Sequence, residues 1–226
     1  MSELAAATSP TTLLRAVLAF NLHPEATLHP SWLPDSWPTR CRTALRVWQP
    51  SANAVLADVL RQRGVLPPEP DYAFDSRRKR LLLLDGASLR RLAFYASLCA
   101  HAPLLRPRRD ALAQQLRRQA RRLDTDAVEF VLERAPQARE LSMSAQALQD
   151  RPAGAGRVLM ERGYRLLLAA LGRDGDAAVQ RLLRLLPRRV AALQVPALSS
   201  RQADQLDELM LDCIVPERLA QWDWLF

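Results

Sequence analysis

The sequence predicts an all-α chain, a compact multi-helix single domain around one buried central helix, with one short β pair at its only non-helical stretch of suitable pattern. Three observations carry this. Glycine is scarce, at 7 of 226 residues, while 49% of residues are hydrophobic and 25% charged, a globular composition that leaves few helix breakers apart from proline. Residues 81–102, LLLLDGASLRRLAFYASLCAHA, wind at about 100° per residue into a helix with Leu89, Leu92, Phe94, Tyr95, Leu98 and Cys99 on all sides and only Arg90 and Arg91 polar near its start. A helix apolar all round is a buried helix, so other helices must pack around it. Amphipathic helical periodicity then recurs on both sides of this stretch. A chain of this length buries roughly 70–75% of its unfolded surface, enough for a substantial core.

Taken in order, Ser9-Pro10 reads as a cap followed by proline at the first helical position, and Leu13, Leu14, Val17, Leu18 and Phe20 follow at helical spacing, which predicts a helix over about 10–20. Pro24, Pro30, Pro34 and Pro38 then recur, and residues before proline avoid the helical region, so 20–38 is expected to be rigid, extended and turned, pinned by Trp32, Leu33 and Trp37. Helices are predicted at about 38–48 and 52–63, the second capped by Ser51 and stopped by Gly64. Pro67, Pro68 and Pro70 mark an internal break over 65–80, where Tyr72 and Phe74 alternate as a short strand would against Leu81–Leu84. After the central helix, 84–102 with an Asp85 cap, Pro103 and Pro107 close one turn and open another. Residues 108–123 form an amphipathic helix with Leu112, Leu116, Ala120 and Leu123 within about 80° of one another and Arg117, Arg118, Arg121 and Arg122 opposite. Asp124-Thr125-Asp126 caps a short helix ending before Pro136, and a helix over about 138–149 leads to the flexible loop 151–156. A second core helix is predicted at 157–171, another from Asp174 to Pro187, and one over 200–214 opened by a Ser199/Gln202 capping box. Pro216 begins a last turn whose Trp222, Trp224, Leu225 and Phe226 must dock on the rest of the chain.

The net charge of +8 is unevenly placed. Residues 77–122 hold 13 basic groups, all arginine except Lys79, against Asp85 and Asp110, so this stretch carries +11 and the remainder −3. Such a region fits nucleic acid, anionic lipid or an acidic protein partner, or is simply solvated in a chain whose only lysine is Lys79. The outward fan of Arg117, Arg118, Arg121 and Arg122, with Arg77, Arg78 and Arg80, is the candidate partner-binding surface.

Catalytic and metal-binding patterns are absent. His23, His29 and His101 share no helical face with cysteine or carboxylate at ligand spacing, and His101, at the end of the buried helix, reads as a satisfied core or cap histidine. Cys41, Cys99 and Cys213 are odd in number and far apart, which implies neither a disulfide framework nor a thiolate metal site and fits a reducing cytosol. Gly154-x-Gly156 lacks the third glycine and the preceding strand of a nucleotide loop. The expectation is therefore a non-enzyme with no cofactor and no metal. The start, MSELAAATSP, lacks the basic residues of a secretory signal, and no window approaches ~20 uninterrupted apolar residues, so a cytoplasmic chain without direct membrane insertion is expected.

Several of these stretches, in order, resemble one family. Phe20-Asn21-Leu22-x-Pro24 and Leu28-His29-Pro30-Ser31-Trp32-Leu33-Pro34 are similar to the N-terminus of the SctK (YscK) proteins of bacterial type III secretion systems. The likeness continues through Leu89-Arg90-Arg91-Leu92-Ala93 to His101-Ala102, the Gly156–Leu171 stretch, Arg184-Leu185-Leu186-Pro187, and Ile214-Val215-Pro216 to Leu225-Phe226. Residues 51–80 and 137–155 do not take part in it. The resemblance implies an adaptor of the secretion sorting platform at the cytoplasmic face of the bacterial inner membrane. Such an adaptor links the cytoplasmic domain of the SctD-type inner-membrane ring protein to the SctQ-type pod protein, and it touches the membrane only through those partners. The alternative reading is a helical nucleic-acid-binding protein using 77–122, although no helix-turn-helix spacing occurs there and aromatic residues are not interleaved with the arginines.

Overall fold

The computed structural model of the chain describes residues 10–37, 50–67, 69–106, 110–134, 138, 141, 143–150 and 152–226. The helix expected at about 38–48, with Cys41, lies outside them, as do Arg108 and Arg109. The described residues are all-α, with no strand. They fall into two compact units, each assembled from separated stretches. The first takes residues up to Gly86 with Asp174–Ala192 and Trp224–Phe226; the second takes Ala87–Arg173 with Leu193–Asp223.

In the first unit, α1 spans Pro10–Leu22, two residues past the expected end. It buries Val17, Phe20 and Asn21 and leaves Leu14, Leu18 and Leu22 exposed. The proline-rich segment is ordered by two short helical turns, α2 over Pro24–Thr27 and a 3-10 turn over Pro30–Trp32, each started by a proline in its first turn. Leu33 is buried against Leu56, Ala57, Leu60 and Leu66 of the next stretch, with Trp37, Leu28 and Val65 packed on the same cluster. Helix α3, Pro50–Gln62, ends at Gly64, whose φ of 66° is the left-handed conformation that glycine adopts without a Cβ clash.

The β pair expected between Tyr72/Phe74 and Leu81–Leu84 does not form. Lys79–Leu83 is a 3-10 helix with Leu81 and Leu82 fully buried, and Phe74 is held by its ring in edge-to-face contact with Phe20, centroids 5.8 Å apart. Four consecutive leucines need burial on more than one side, which a 3-10 turn packed against helices supplies and an edge strand does not. The α10 helix, Asp176–Leu185, completes this unit; Gly175, at φ 95°, turns the chain into it.

In the second unit, α4 spans Gly86–Ala100 and is buried continuously from Leu92 to its end. The short α5, Ala102–Leu105, follows. The amphipathic helix predicted over 108–123 is α6, Ala111–Leu123, opened by Asp110, whose carboxylate accepts from the Ala113 N–H; Leu112, Ala113, Leu116 and Ala120 are buried. Helix α7 covers Ala127–Arg134. Of the helix expected over 138–149, the described residues are α-helical only within α8, Gln146–Asp150, and residues 143–145 are not helical. The Met143 N–H is taken by the Ala100 carbonyl, and the Ser144 hydroxyl accepts from the Gln146 N–H, so the serine starts a helix instead of continuing one. The loop expected at 151–156 is instead a 3-10 turn, Pro152–Gly154, running straight into α9, Ala155–Leu171.

Helix α9 is the second core helix. At Gly163 it meets α4 backbone to backbone, so close that a Cβ there would lie 1.9 Å from the Ala93 carbonyl oxygen. The Ser199/Gln202 capping box forms as expected and opens α11, Ser200–Glu208, which continues as a π-helical stretch over Leu209–Ile214 into α12, Val215–Arg218. Pro216 has no N–H and its ring crowds the carbonyl four residues earlier, and the widened turn immediately precedes it. The C-terminal 3-10 turn, Ala220–Leu225, divides between the units: Trp222 Nε1 donates to the Ser88 hydroxyl in the second, while Leu225 is buried in the first and its carbonyl accepts from Arg80.

The Gly163 contact makes a sharp prediction. Gly163→Ala adds one methyl where backbone already stands and should cost about 3 kcal/mol or more, comparable with the ~2–5 kcal/mol expected for the cavity of Leu92→Ala or Leu98→Ala, although alanine is the better helix former. Urea denaturation midpoints of the three variants test it; an unchanged or raised midpoint for Gly163→Ala would show that the two helices do not touch.

Candidate functional site

Of the seven arginines singled out from the sequence, the structure commits three to internal work. The Arg78 guanidinium pairs with Asp174 at 2.8 Å, both largely shielded from solvent. Arg80 donates to the Phe74 and Leu225 carbonyls and so ties the C-terminal turn to its own unit. Arg117 reaches back from α6 to the Arg106 carbonyl at 3.0 Å, covering the C-terminal end of α5. Arg77 is exposed, and it belongs, with Arg78 and Arg80, to the first unit, whereas the α6 arginines belong to the second.

The α6 surface proper is Arg118, Arg121 and Arg122, all exposed. The nearest carboxylate in an ion pair with them is Glu129 of α7, 3.8 Å from Arg121, with both side chains more than half exposed. A pair that loose and wet neutralises little. Three guanidinium groups on one helix face, backed by buried Leu112, Leu116 and Ala120, form a rigid cationic surface fit for carboxylates and without any catalytic group.

A second arginine cluster went unnoticed in the sequence. Trp32 is fixed by its indole N–H, which donates to the Leu183 and Leu186 carbonyls at 2.9 Å each. The Arg184 guanidinium stacks over its ring at 4.0 Å, and that of Arg188 lies at 5.8 Å. Arg189 is close enough to depress the pKa of His29, which burial already lowers. The available signal was a charge run: residues 177–203 hold five arginines and no carboxylate.

The three histidines and the two described cysteines, Cys99 and Cys213, sit in structural surroundings. His29 caps the 3-10 turn at Pro30 by accepting from the Ser31 N–H. His23 lies 3.6 Å from the buried Glu25 carboxylate, whose oxygens have no hydrogen-bond partner among the described residues. Asp124 and Asp126 bind arginine: Asp124 Oδ2 accepts from both Arg91 and the Tyr95 hydroxyl, and Asp126 pairs with Arg218. Among the described residues no group of three His, Cys, Asp or Glu side chains is placed to share a metal ion. Cys99 and Cys213 are buried and not in a disulfide, and burial, helped by the neighbouring Cys213, pushes the Cys99 thiol up to about 12.

His101 is the most perturbed of these groups. It is 1% exposed, its Nδ1 bonds the Ser97 carbonyl at 2.7 Å and so carries the proton, and its bare Nε2 meets the Arg162 guanidinium. A second proton would be buried and set against a cation; burial first, and Arg162 in addition, lower the pKa to about 4. An unfolded chain takes up that proton near 6.5, so acid favours unfolding and stability is lost as pH falls from 6.5 toward 4, by up to roughly 3 kcal/mol. Urea midpoints measured across this window should fall more steeply for the wild type than for His101→Gln; parallel curves would mean that His101 titrates normally.

Residues 16–214 match the family described as YOP proteins translocation protein K (YscK). No curated protein and no solved structure matches the chain. Among the described residues no helix is long and apolar enough to cross a membrane. The match spans most of the chain, its two core helices and the π-helical stretch included: the protein belongs to the YscK family of type III secretion proteins.

Proposed function

We propose that the chain is a non-enzymatic adaptor of the type III secretion sorting platform, linking the cytoplasmic domain of the SctD-type ring protein to the SctQ-type pod protein at the cytoplasmic face of the inner membrane. Family membership supports the secretion role. The observation that carries the adaptor reading is the α6 surface, where Arg118, Arg121 and Arg122 stand exposed on a helix whose other side is anchored in the core. An acidic partner would gain charge pairs there and would associate faster at low salt.

The test replaces Arg118, Arg121 and Arg122 by glutamate and leaves Arg117, which serves the fold. Helicity and melting should stay close to wild type, while capture of the ring or pod protein from its own cells should weaken by about tenfold and wild-type capture should decline as salt rises. Co-purification of both partners at wild-type levels by the triple variant would discard this surface. Recovery of nucleic acid in place of ring and pod chains would discard the adaptor reading.

A further inference from the structure

We propose that Arg184 and Arg188 over the Trp32 ring, with Arg189 near His29, form a second docking surface, one that takes an acidic segment of a protein partner. Its basis is a set of like charges held together with no counterion among the described residues. Among the described residues, none of the three takes part in an ion pair. Arg184 and Arg188 are close enough that the second lowers the pKa of the first, in addition to the larger effect of burial. Arg189 acts likewise on His29.

The scaffold under these charges is fixed at several points. Arg184 Nε donates to the Val65 carbonyl, and its own backbone carbonyl accepts from the His29 N–H at 2.8 Å. The Ser31 hydroxyl accepts from the Arg188 N–H at 2.8 Å. Pro187 ends α10 between Arg184 and Arg188, so the three guanidinium groups come from one helix end and the 3-10 turn after it, Arg188–Ala192. With Nε committed, the two Nη groups of Arg184 remain for a carboxylate, and the exposed Arg188 and Arg189 flank them. Cations gathered this way repel one another until an anion arrives, and the ordering cost of binding is already met by the folded chain.

The kind of anion follows from Trp32. Single-stranded nucleic acid bound at an aromatic residue needs an open ring face on which a base can stack. Here the Arg184 guanidinium covers the ring at 4.0 Å, so the platform presents planar forks, the geometry that pairs with carboxylates. Beside it lie the half-buried Val65, Leu28 and Trp37, which suit an apolar side chain neighbouring the carboxylates of the partner segment. The inference stands whether or not the α6 surface engages the ring or pod protein, because the residues are different.

The Trp32 indole N–H is a local reporter. In the full-length chain labelled with ¹⁵N, its resonance is assigned by its loss in Trp32→Phe and followed during titration with a synthetic peptide of alternating glutamate and glycine. A saturable shift is expected, weakened about tenfold in Arg188→Glu/Arg189→Glu, intermediate in Arg188→Gln/Arg189→Gln, and kept in Arg118→Glu/Arg121→Glu/Arg122→Glu. Unchanged circular dichroism and melting of the double variants confirm that they fold. The proposal is overturned if the resonance does not move, if Arg188→Glu/Arg189→Glu binds as wild type does, or if a single-stranded oligonucleotide moves the resonance and the peptide does not.

Discussion

The close approach of α4 and α9 at Gly163 is the constraint on which the second unit depends. With no side chain at that position, the backbone of one helix rests on the Ala93 carbonyl of the other, and the large residues around it, Leu89, Leu92, Leu166 and Leu167, are buried with at most 1% exposure. Dispersion is strongest where packing is this tight, so the absence of a methyl group does as much as many that are present. The same approach sets Arg162, the residue before Gly163, against the His101 ring. A hydrophobic packing choice therefore decides the protonation of a buried imidazole.

Arginine plays an unusual part in a chain with a single lysine. Many of its guanidinium groups face inward, as clamps between segments. Arg181 lies 5.3 Å over the Phe20 ring while bonding Asn21 and the Glu69 carbonyl; Arg218 lies 4.3 Å over Phe130 and pairs with Asp126; Arg173 bridges Asp204 and Asp207. The planar fork suits this, since it satisfies carbonyls at the ends of short helical turns that have no helical partner of their own. Charge counted along the sequence thus overstates charge on the surface.

That difference explains what the sequence disclosed. The buried helix, its partner expected at 157–171, the Ser199/Gln202 capping box and the stop at Gly64 were legible because each depends on local periodicity or on a side chain bonding its own turn. The 3-10 helix over Lys79–Leu83 was not, because Tyr72 and Phe74 alternate as a strand does, whereas Tyr72 is exposed and the Phe74 ring packs on Phe20 of α1 and under Lys79. The Arg184 cluster escaped for a related reason: Trp32 and Arg184 meet only in the fold, and a window drawn around the densest charge passed over a sparser run that happens to lack acid.

The π-helical stretch over Leu209–Ile214 has a consequence for helical phase. A wider turn over six residues makes the helix lag by about one residue, or roughly 100°, relative to an unbroken α-helix. Ala203 and Leu206 before it and Val215 and Leu219 after it are all buried, although they do not share one continuous α-helical face. The stretch acts as an inserted residue absorbed without breaking the rod. Deleting a single residue within it would turn the stretch into unbroken α-helix and bring Ala203, Leu206, Val215 and Leu219 to one face, the second half still aimed at its core.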